Sequence, residues 1–368
     1  KLVLSYPVWK GSLSAGAEYS YTSREDVYNV LSVEQLPVAG SDTEISESSV
    51  AAFAEYGRSF GGFYAQIGLR YEHLKNEYSD FGVRQDEVCR SYGDWFPSVT
   101  LAYPMSKGPQ LSLSYRKDIQ RPNYYTLSSS ILYINKYSYQ SGNPYLTPIY
   151  THNLTFNAAY RWANLTFVYE RIIDDIVLQS MPYPGSNDPM VTLISSVNCP
   201  DDYNRFTINM SARPVIGVWH PMWNVALFLQ NYKTETIDGS TITMNHPYLQ
   251  IQWINDFLFP HDWRLDSRIV FASKGDYMSY RMTKNIWDTS LGLQKDINTK
   301  RVGKFTFDLR CYDPFNLQKS GVLVFGPRNF ETINPARRLF SFDVTWRFNE
   351  ADKKYRGTGA GQSQKSRL

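Results

Sequence analysis

Residues able to perform acid–base, nucleophilic or metal chemistry are scattered along this chain. The five histidines, His73, His152, His220, His246 and His261, are dispersed and mostly flank turns. None stands in a His-x-x-Glu-His spacing and no Asp-x-Asp pair occurs, so local spacing yields no zinc-type ligand set. Adjacent acids occur in DDYN (201–204) and RIIDDI (171–176). Both lie at loop ends, where carboxylates stay solvated, and a hard cation requires about six or more oxygens. The three cysteines, Cys89, Cys199 and Cys311, form no Cys-x-x-Cys, and their odd number defines no disulfide framework. Cys89 and Cys199 fall in loops on one side, so a bridge between them stays open. Catalysis, a bound metal and a cofactor are not expected.

Two other sets of side chains suit recognition. Between residues 121 and 150 the chain carries seven tyrosines and few charges. Tyr124, Tyr125, Tyr133, Tyr137, Tyr139 and Tyr145 are the candidate ligand contacts, because a phenol offers a rigid surface with a polar tip. Such rings could stack on a sugar, a flat cofactor or a peptide side chain; their plainer role is to pack the loop on itself. The second set is charged: Arg70, Glu72, Arg116, Arg161, Arg213, Arg268, Arg310 and Arg347, accompanied by Glu18, Asp118, Glu170, Asp266, Asp308 and Asp343. Signs are mixed and nearly balanced, unlike the single-sign ring of an ion-selective pore.

The elements that must position these groups are strands. Apolar residues recur with period two, as in Phe340, Phe342, Val344, Trp346 and Phe348 against Ser341, Asp343, Thr345 and Arg347. The same alternation sets Phe63, Ile67, Leu69 and Tyr71 against Tyr64, Gln66, Arg70 and Glu72. About fifteen such strands of about nine or more residues are expected, the length that crosses a bilayer when tilted. Short connections near 9–12, 60–62, 104–109, 161–164, 216–222, 259–263 and 297–303 alternate with long ones near 24–48, 77–94, 121–150, 180–204, 232–247, 273–285 and 313–337. Trp9, Trp95, Trp162, Trp219, Trp223 and Trp263 are expected beside the short turns, as an interfacial girdle. The fold class is therefore all-β, an antiparallel transmembrane β-barrel over 1–348 with a polar tail over 349–368. A sandwich has shorter strands, and a propeller would show a blade repeat. Aromatics at 15% of 368 residues would burden a soluble surface unless lipid covers them. No run of 18 apolar residues exists, and a net charge of +3 is too small and dispersed for nucleic acid.

The stretch from Tyr115 to Phe156 resembles the TonB-dependent outer-membrane receptors of the Bacteroidetes type. It supplies Tyr115, Arg116, Ile119, Arg121 and Pro122, a Tyr-rich loop, then Gly142, Asn143, Pro144, Leu146 and Pro148. Segments 2–21, 204–219 and 353–368 are similar to further stretches of that family. In the sequence reading, Arg121–Pro122 ends one strand, and Gly142-Asn143-Pro144 turns the chain toward the next through positive φ at Gly or Asn. The resemblance implies a 22-stranded barrel, of which these strands are the C-terminal fifteen, filled by an N-terminal plug that is not visible here. The chain is thus expected to be a truncated one. The eight charged wall residues, Arg70 to Arg347, become candidate plug contacts. The implied function is TonB-dependent, energy-coupled uptake of an unidentified ligand, with a non-transporting scaffold barrel or a passive porin as alternatives. Implied partners are outer-membrane lipid, the protein's own plug domain, TonB and a surface lipoprotein. Long loops are expected outside the cell and the C-terminus in the periplasm.

Overall fold

A computed structural model describes residues 1–30, 38, 40–105, 107–188, 190–236, 238–299, 302–325, 330–334 and 338–348. The polar tail expected over 349–368 lies outside these residues. Fifteen strands form one continuous antiparallel wall, each hydrogen-bonded to the next in chain order. They are β1 (Leu2–Val8), β2 (Gly11–Tyr28), β3 (Ser41–Phe60), β4 (Phe63–Asp80) and β5 (Arg90–Pro104). Next come β6 (Gln110–Gln120), β7 (Ile149–Tyr160), β8 (Ala163–Ile173), β9 (Tyr203–Ala212) and β10 (Trp219–Gln230). The last are β11 (Tyr248–Phe259), β12 (Trp263–Ala272), β13 (Ile286–Thr299), β14 (Gly303–Tyr312) and β15 (Leu339–Arg347). The expected count and the alternation of short and long connections are both borne out. Among the described residues, β1 pairs only with β2 and β15 only with β14, so the wall is open at both edges.

Register turns the period-two pattern into two continuous faces. Leu101, Leu113, Phe156, Phe167, Ile208, Leu227 and Leu249 stand opposite one another in an unbroken apolar row across seven strands. Shift by one residue and the row reads Ser112, Asn157, Thr166, Asn209, Ala226 and Gln250. A one-residue slip would exchange the faces, which fixes the pairing. Many large apolar side chains of the first face are open, including Ile67, Leu69, Leu101, Leu113 and Phe167. An apolar band of this kind belongs against lipid rather than water.

Turn chemistry closes the short connections. Positive φ at Trp9, Lys10, Gly61, Arg161, His261 and Asp262 lets a strand reverse within two or three residues. Trp9, Trp162, Trp219 and Trp263 sit at these turns, as expected, and the Trp346 indole N–H donates to the Val302 carbonyl at another. Trp95 does not: it lies in β5 toward the long-connection end, where it packs on Tyr71 with ring centroids 4.8 Å apart. Trp287 lies at that end too, against Phe271 at 4.7 Å. Aromatic rings thus mark both levels of the wall.

The long connections fold into a cap with its own apolar centres. Segments Ile131–Asn135, Ser138–Ser141, Thr192–Asn198 and Ile176–Pro182 form a four-stranded sheet that joins two different loops. A second sheet combines Gly275–Tyr277, Tyr280–Met282, Ser320–Val324 and Phe330–Asn334. Of the three buried apolar clusters, one unites Tyr124, Leu127 and Leu146 with Ile45 and Tyr78 of the long β3–β4 hairpin. A second gathers Cys199, Tyr203, Tyr232 and Met244, and a third Tyr139, Tyr183, Val191 and Leu193. The core of this chain lies in its cap, because the wall gives its apolar side chains to lipid.

A charged residue on the apolar face should cost about 2–4 kcal/mol at mid-bilayer depth. Leu69→Arg is therefore expected to destabilise the barrel by that amount in lipid vesicles, read from urea unfolding. Leu69→Phe should stay within about 1 kcal/mol, since lipid accommodates volume that a packed core rejects.

Candidate functional site

The polar face meets the cap around the sequence stretch 115–156, where the candidate residues concentrate. Glu72 of β4, 8% exposed, accepts from Arg70 at 2.6 Å and also binds the Arg121 guanidinium. Arg70 reaches Glu18 of β2 at 3.4 Å, so one ionic chain runs from β2 through β4 to the start of the tyrosine-rich loop. Arg121 follows the last residue of β6 and was legible only as a strand end. A single cross-wall contact turns it into the anchor of the loop. Beside it Asp94 accepts from the Tyr150 hydroxyl at 2.7 Å and from Lys117 at 3.2 Å.

The Gly142-Asn143-Pro144 element holds the loop by contacts, not by the positive φ expected of it: neither Gly142 nor Asn143 is among the described residues with positive φ. A Cβ at Gly142 would lie 2.0 Å from the Ser128 carbonyl oxygen, so only glycine permits this approach. Asn143 donates its backbone N–H to Thr126 and its side-chain amide to the Ser196 carbonyl at 2.9 Å. Farther on, Asn198 accepts from the Thr147 N–H at 2.9 Å. The motif thus ties the 121–148 loop to the 174–202 loop.

The six tyrosines divide by environment. Tyr124 is buried in the first apolar cluster, within a four-residue helix (Tyr124–Leu127) capped by Asn123. Tyr139 is buried and stacks on Tyr183 with centroids 4.5 Å apart. Tyr125, Tyr133, Tyr137 and Tyr145 are exposed; the Tyr145 hydroxyl donates to Glu87 at 2.8 Å. Two of the six therefore pack the cap, and four present rings on its surface.

Most of the wall arginines find carboxylates within the wall. Arg116 pairs with Asp118 at 2.7 Å and Arg268 with Asp288 at 2.7 Å. Arg310 forks onto Asp266 two strands away, at 2.9 and 3.1 Å. Between them stands Gly292, opposite both residues in register; a Cβ there would lie 2.6 Å from the Asp266 carboxylate. The missing side chain opens the gap that the guanidinium spans. Arg161 and Arg213 sit at short turns, and Arg347 ends β15 opposite Lys304. Sequence reading passed over Arg205, which pairs with Glu170 at 2.8 Å.

Among the described residues, no group of three or more His, Cys, Asp or Glu side chains could hold a metal ion. Gly57-Arg58-Ser59-Phe60-Gly61 matches a serine-nucleophile spacing, but Ser59 lies in a β-hairpin opposite Tyr64, without the strand-to-helix turn that such a serine needs. All three cysteines are free thiols. Cys89 packs against the first cluster and Cys199 sits inside the second, where burial pushes its thiol up to about 11.

An antiparallel wall with one apolar and one ion-paired polar face, capped at one end, defines an outer-membrane β-barrel. The chain belongs to the outer membrane protein beta-barrel family, whose model matches residues 1–346. No curated protein sequence matches it. Among solved structures it is similar to the copper transporter OprC, at TM-score 0.63 and 12% identity over 94% of this chain and 56% of that one. The ferric-catecholate import receptor Fiu of E. coli K12 aligns at TM-score 0.58 and 12% identity, over 94% and 53%. The ferric enterobactin receptor PfeA of Pseudomonas aeruginosa aligns at TM-score 0.52 and 14% identity, over 91% and 54%. The chain thus spans about half the length of these proteins, and the likeness is one of fold.

Filling the Gly292 gap should break the Arg310–Asp266 fork. Gly292→Ala is expected to cost about 1–3 kcal/mol, the penalty for a poorly satisfied partly buried charge, measured by urea unfolding in detergent. With its thiol near 11, only about a thousandth of Cys199 is thiolate at pH 8. Iodoacetamide at pH 8 should leave it unmodified until the cap unfolds, and non-reducing mass spectrometry should find no Cys89–Cys199 bridge.

Proposed function

We propose that this chain is the barrel part of an outer-membrane receptor that takes up a ligand by TonB-coupled transport. The observation that carries the reading is the folded cap. The 121–148 loop packs onto the long β3–β4 hairpin and is pinned by Arg121 to the polar face, so one end of the wall is covered by ordered, tyrosine-bearing structure. A passive pore needs an open mouth, whereas a receptor needs a shaped one. The named functions of OprC, Fiu and PfeA, copper transport and ferric-catecholate or enterobactin reception, support the same class. In this reading the cap faces outward and the short turns face the periplasm, the usual division of loops in such barrels. Further strands join the two free edges, since hydrocarbon satisfies no backbone donor. A plug lies against the polar face, with TonB acting on it from the periplasm, and a lipoprotein can meet the exposed tyrosines of the cap.

The internal ion pairs favour a second reading. Arg70, Arg268 and Arg310 are matched within the wall, so its charges need no plug, which suits a non-transporting scaffold barrel.

The orientation is testable by labelling in intact cells, in a background with the native cysteines replaced. Tyr137→Cys should react with a membrane-impermeant maleimide, and Lys107→Cys should react only after the outer membrane is permeabilised. The reverse pattern would sink the orientation. Native mass spectrometry of the detergent-extracted full-length protein should identify the co-purifying ligand. Its accumulation by cells should fall at least about tenfold on loss of TonB or addition of a protonophore; uptake indifferent to both removes the energy coupling.

A further inference from the structure

At the cap end of β11 and β12 an open cavity of about 580 Å³ is lined by His246, Pro247, Lys274, Arg281, Met282 and Thr283. Its floor is a carboxylate. Asp276 is fully buried and accepts four hydrogen bonds or ion-pair contacts: from the His246 N–H at 3.0 Å, from His246 Nδ1 at 2.8 Å, and from Arg281 at 2.7 and 3.0 Å. Burial pushes this carboxyl up, but the Arg281 fork and the His246 N–H outweigh it and hold Asp276 below the usual carboxylate range. Gly275 makes the arrangement possible: a Cβ there would stand 2.3 Å from the Pro247 carbonyl oxygen, so only glycine lets the two segments close. The Asp276 N–H then donates back to the His246 carbonyl at 3.0 Å.

This carboxylate aims its neighbours. His246 Nδ1 lies 2.8 Å from Asp276 and 3.3 Å from the Arg281 guanidinium, so the imidazole turns Nε2 away from both contacts, and His246 is largely exposed. Arg281 is fixed from below and lies over the Phe325 ring at 5.0 Å. The Lys274 side chain is exposed at the rim, its backbone N–H held by Asn285 at 2.8 Å. Other charges nearby are Lys284, which follows Thr283, and Glu331, which accepts from the Thr283 hydroxyl at 3.3 Å. Counted together, Lys274, Arg281 and Lys284 against Asp276 and Glu331 leave one positive charge. A buried acid that holds Arg281 in place beside the exposed Lys274 gives an anion one donor group fixed before the ligand arrives.

We propose that this cavity binds an oxyanion, a carboxylate or phosphate group. Arg281 and Lys274 supply the fixed charge, and the exposed His246 ring offers a further polar contact beside them. The site stands apart from the uptake reading, because its binding is measured without transport.

The test is isothermal titration of the detergent-extracted protein with inorganic phosphate and, separately, with citrate, at constant pH and constant chloride ionic strength. At least one probe should bind saturably. The preferred probe tells a phosphate source from a carboxylate one. Lys274→Gln should weaken binding at least about fivefold. The Lys274 side chain is exposed, so this variant leaves the buried Asp276–Arg281 fork in place. No saturable binding of either probe, or a Lys274→Gln variant that binds like the wild type, overturns the proposal.

Discussion

Hydrocarbon offers a backbone N–H no partner, and everything else in this structure follows from that constraint. Each wall strand must be hydrogen-bonded along both sides, and antiparallel pairing with the next strand in sequence achieves this at the least cost in loop length. The two-residue side-chain period then leaves one face for lipid and one for the interior. With its apolar residues committed outward, the wall has little left from which to build a core. The chain builds one where water returns, in the long connections.

That division explains the character of the cap. Its clusters behave like the cores of small soluble domains, and in one of them the buried Tyr203 hydroxyl donates to Asp175 at 2.6 Å. The β3–β4 hairpin extends the wall into this layer. Its 20-residue strand rises about 45 Å when tilted, well beyond the hydrocarbon core. Ile45 and Tyr78, paired near the open end of the hairpin, therefore belong to the cap, although they share strands with lipid-facing residues. Rigid wall and folded loops are one mechanical body where Arg121 meets Glu72.

Much of this was legible in the sequence, for a physical reason. Strand number and the order of short and long connections follow from side-chain alternation and turn residues, which are local properties. The tyrosine-rich loop was visible as a break in that alternation. Its internal plan was not, because Tyr124 and Tyr139 are buried by residues more than forty positions away, such as Tyr78 and Tyr183. Glycines misled in a related way. Gly142 reads as a turn residue, yet its role is to admit the Ser128 carbonyl; Gly292 and Gly275 are silent in sequence and decide whether an ion pair or a buried carboxylate can form. Trp95 was misplaced although it directly follows the long 77–94 connection and stands well before the short turn near 104–109. His246, dismissed as one of five scattered histidines, found Asp276 and Arg281 only through a contact between two loops.

The sheet that joins Ser138–Ser141 to Thr192–Asn198 pairs them in parallel, across two wall strands and their connections. Parallel pairing between distant segments is slow to form, whereas each hairpin of the wall needs only its neighbour. The two loops that it joins flank β7 and β8, so the sheet closes only when those strands have brought the loops side by side. During biogenesis the mouth of the barrel passes through a stage in which its tyrosines and unpaired strand edges are bare. A chaperone or the assembly machinery would meet the protein at that stage, and a defect in the cap would register as slow maturation of an otherwise inserted barrel.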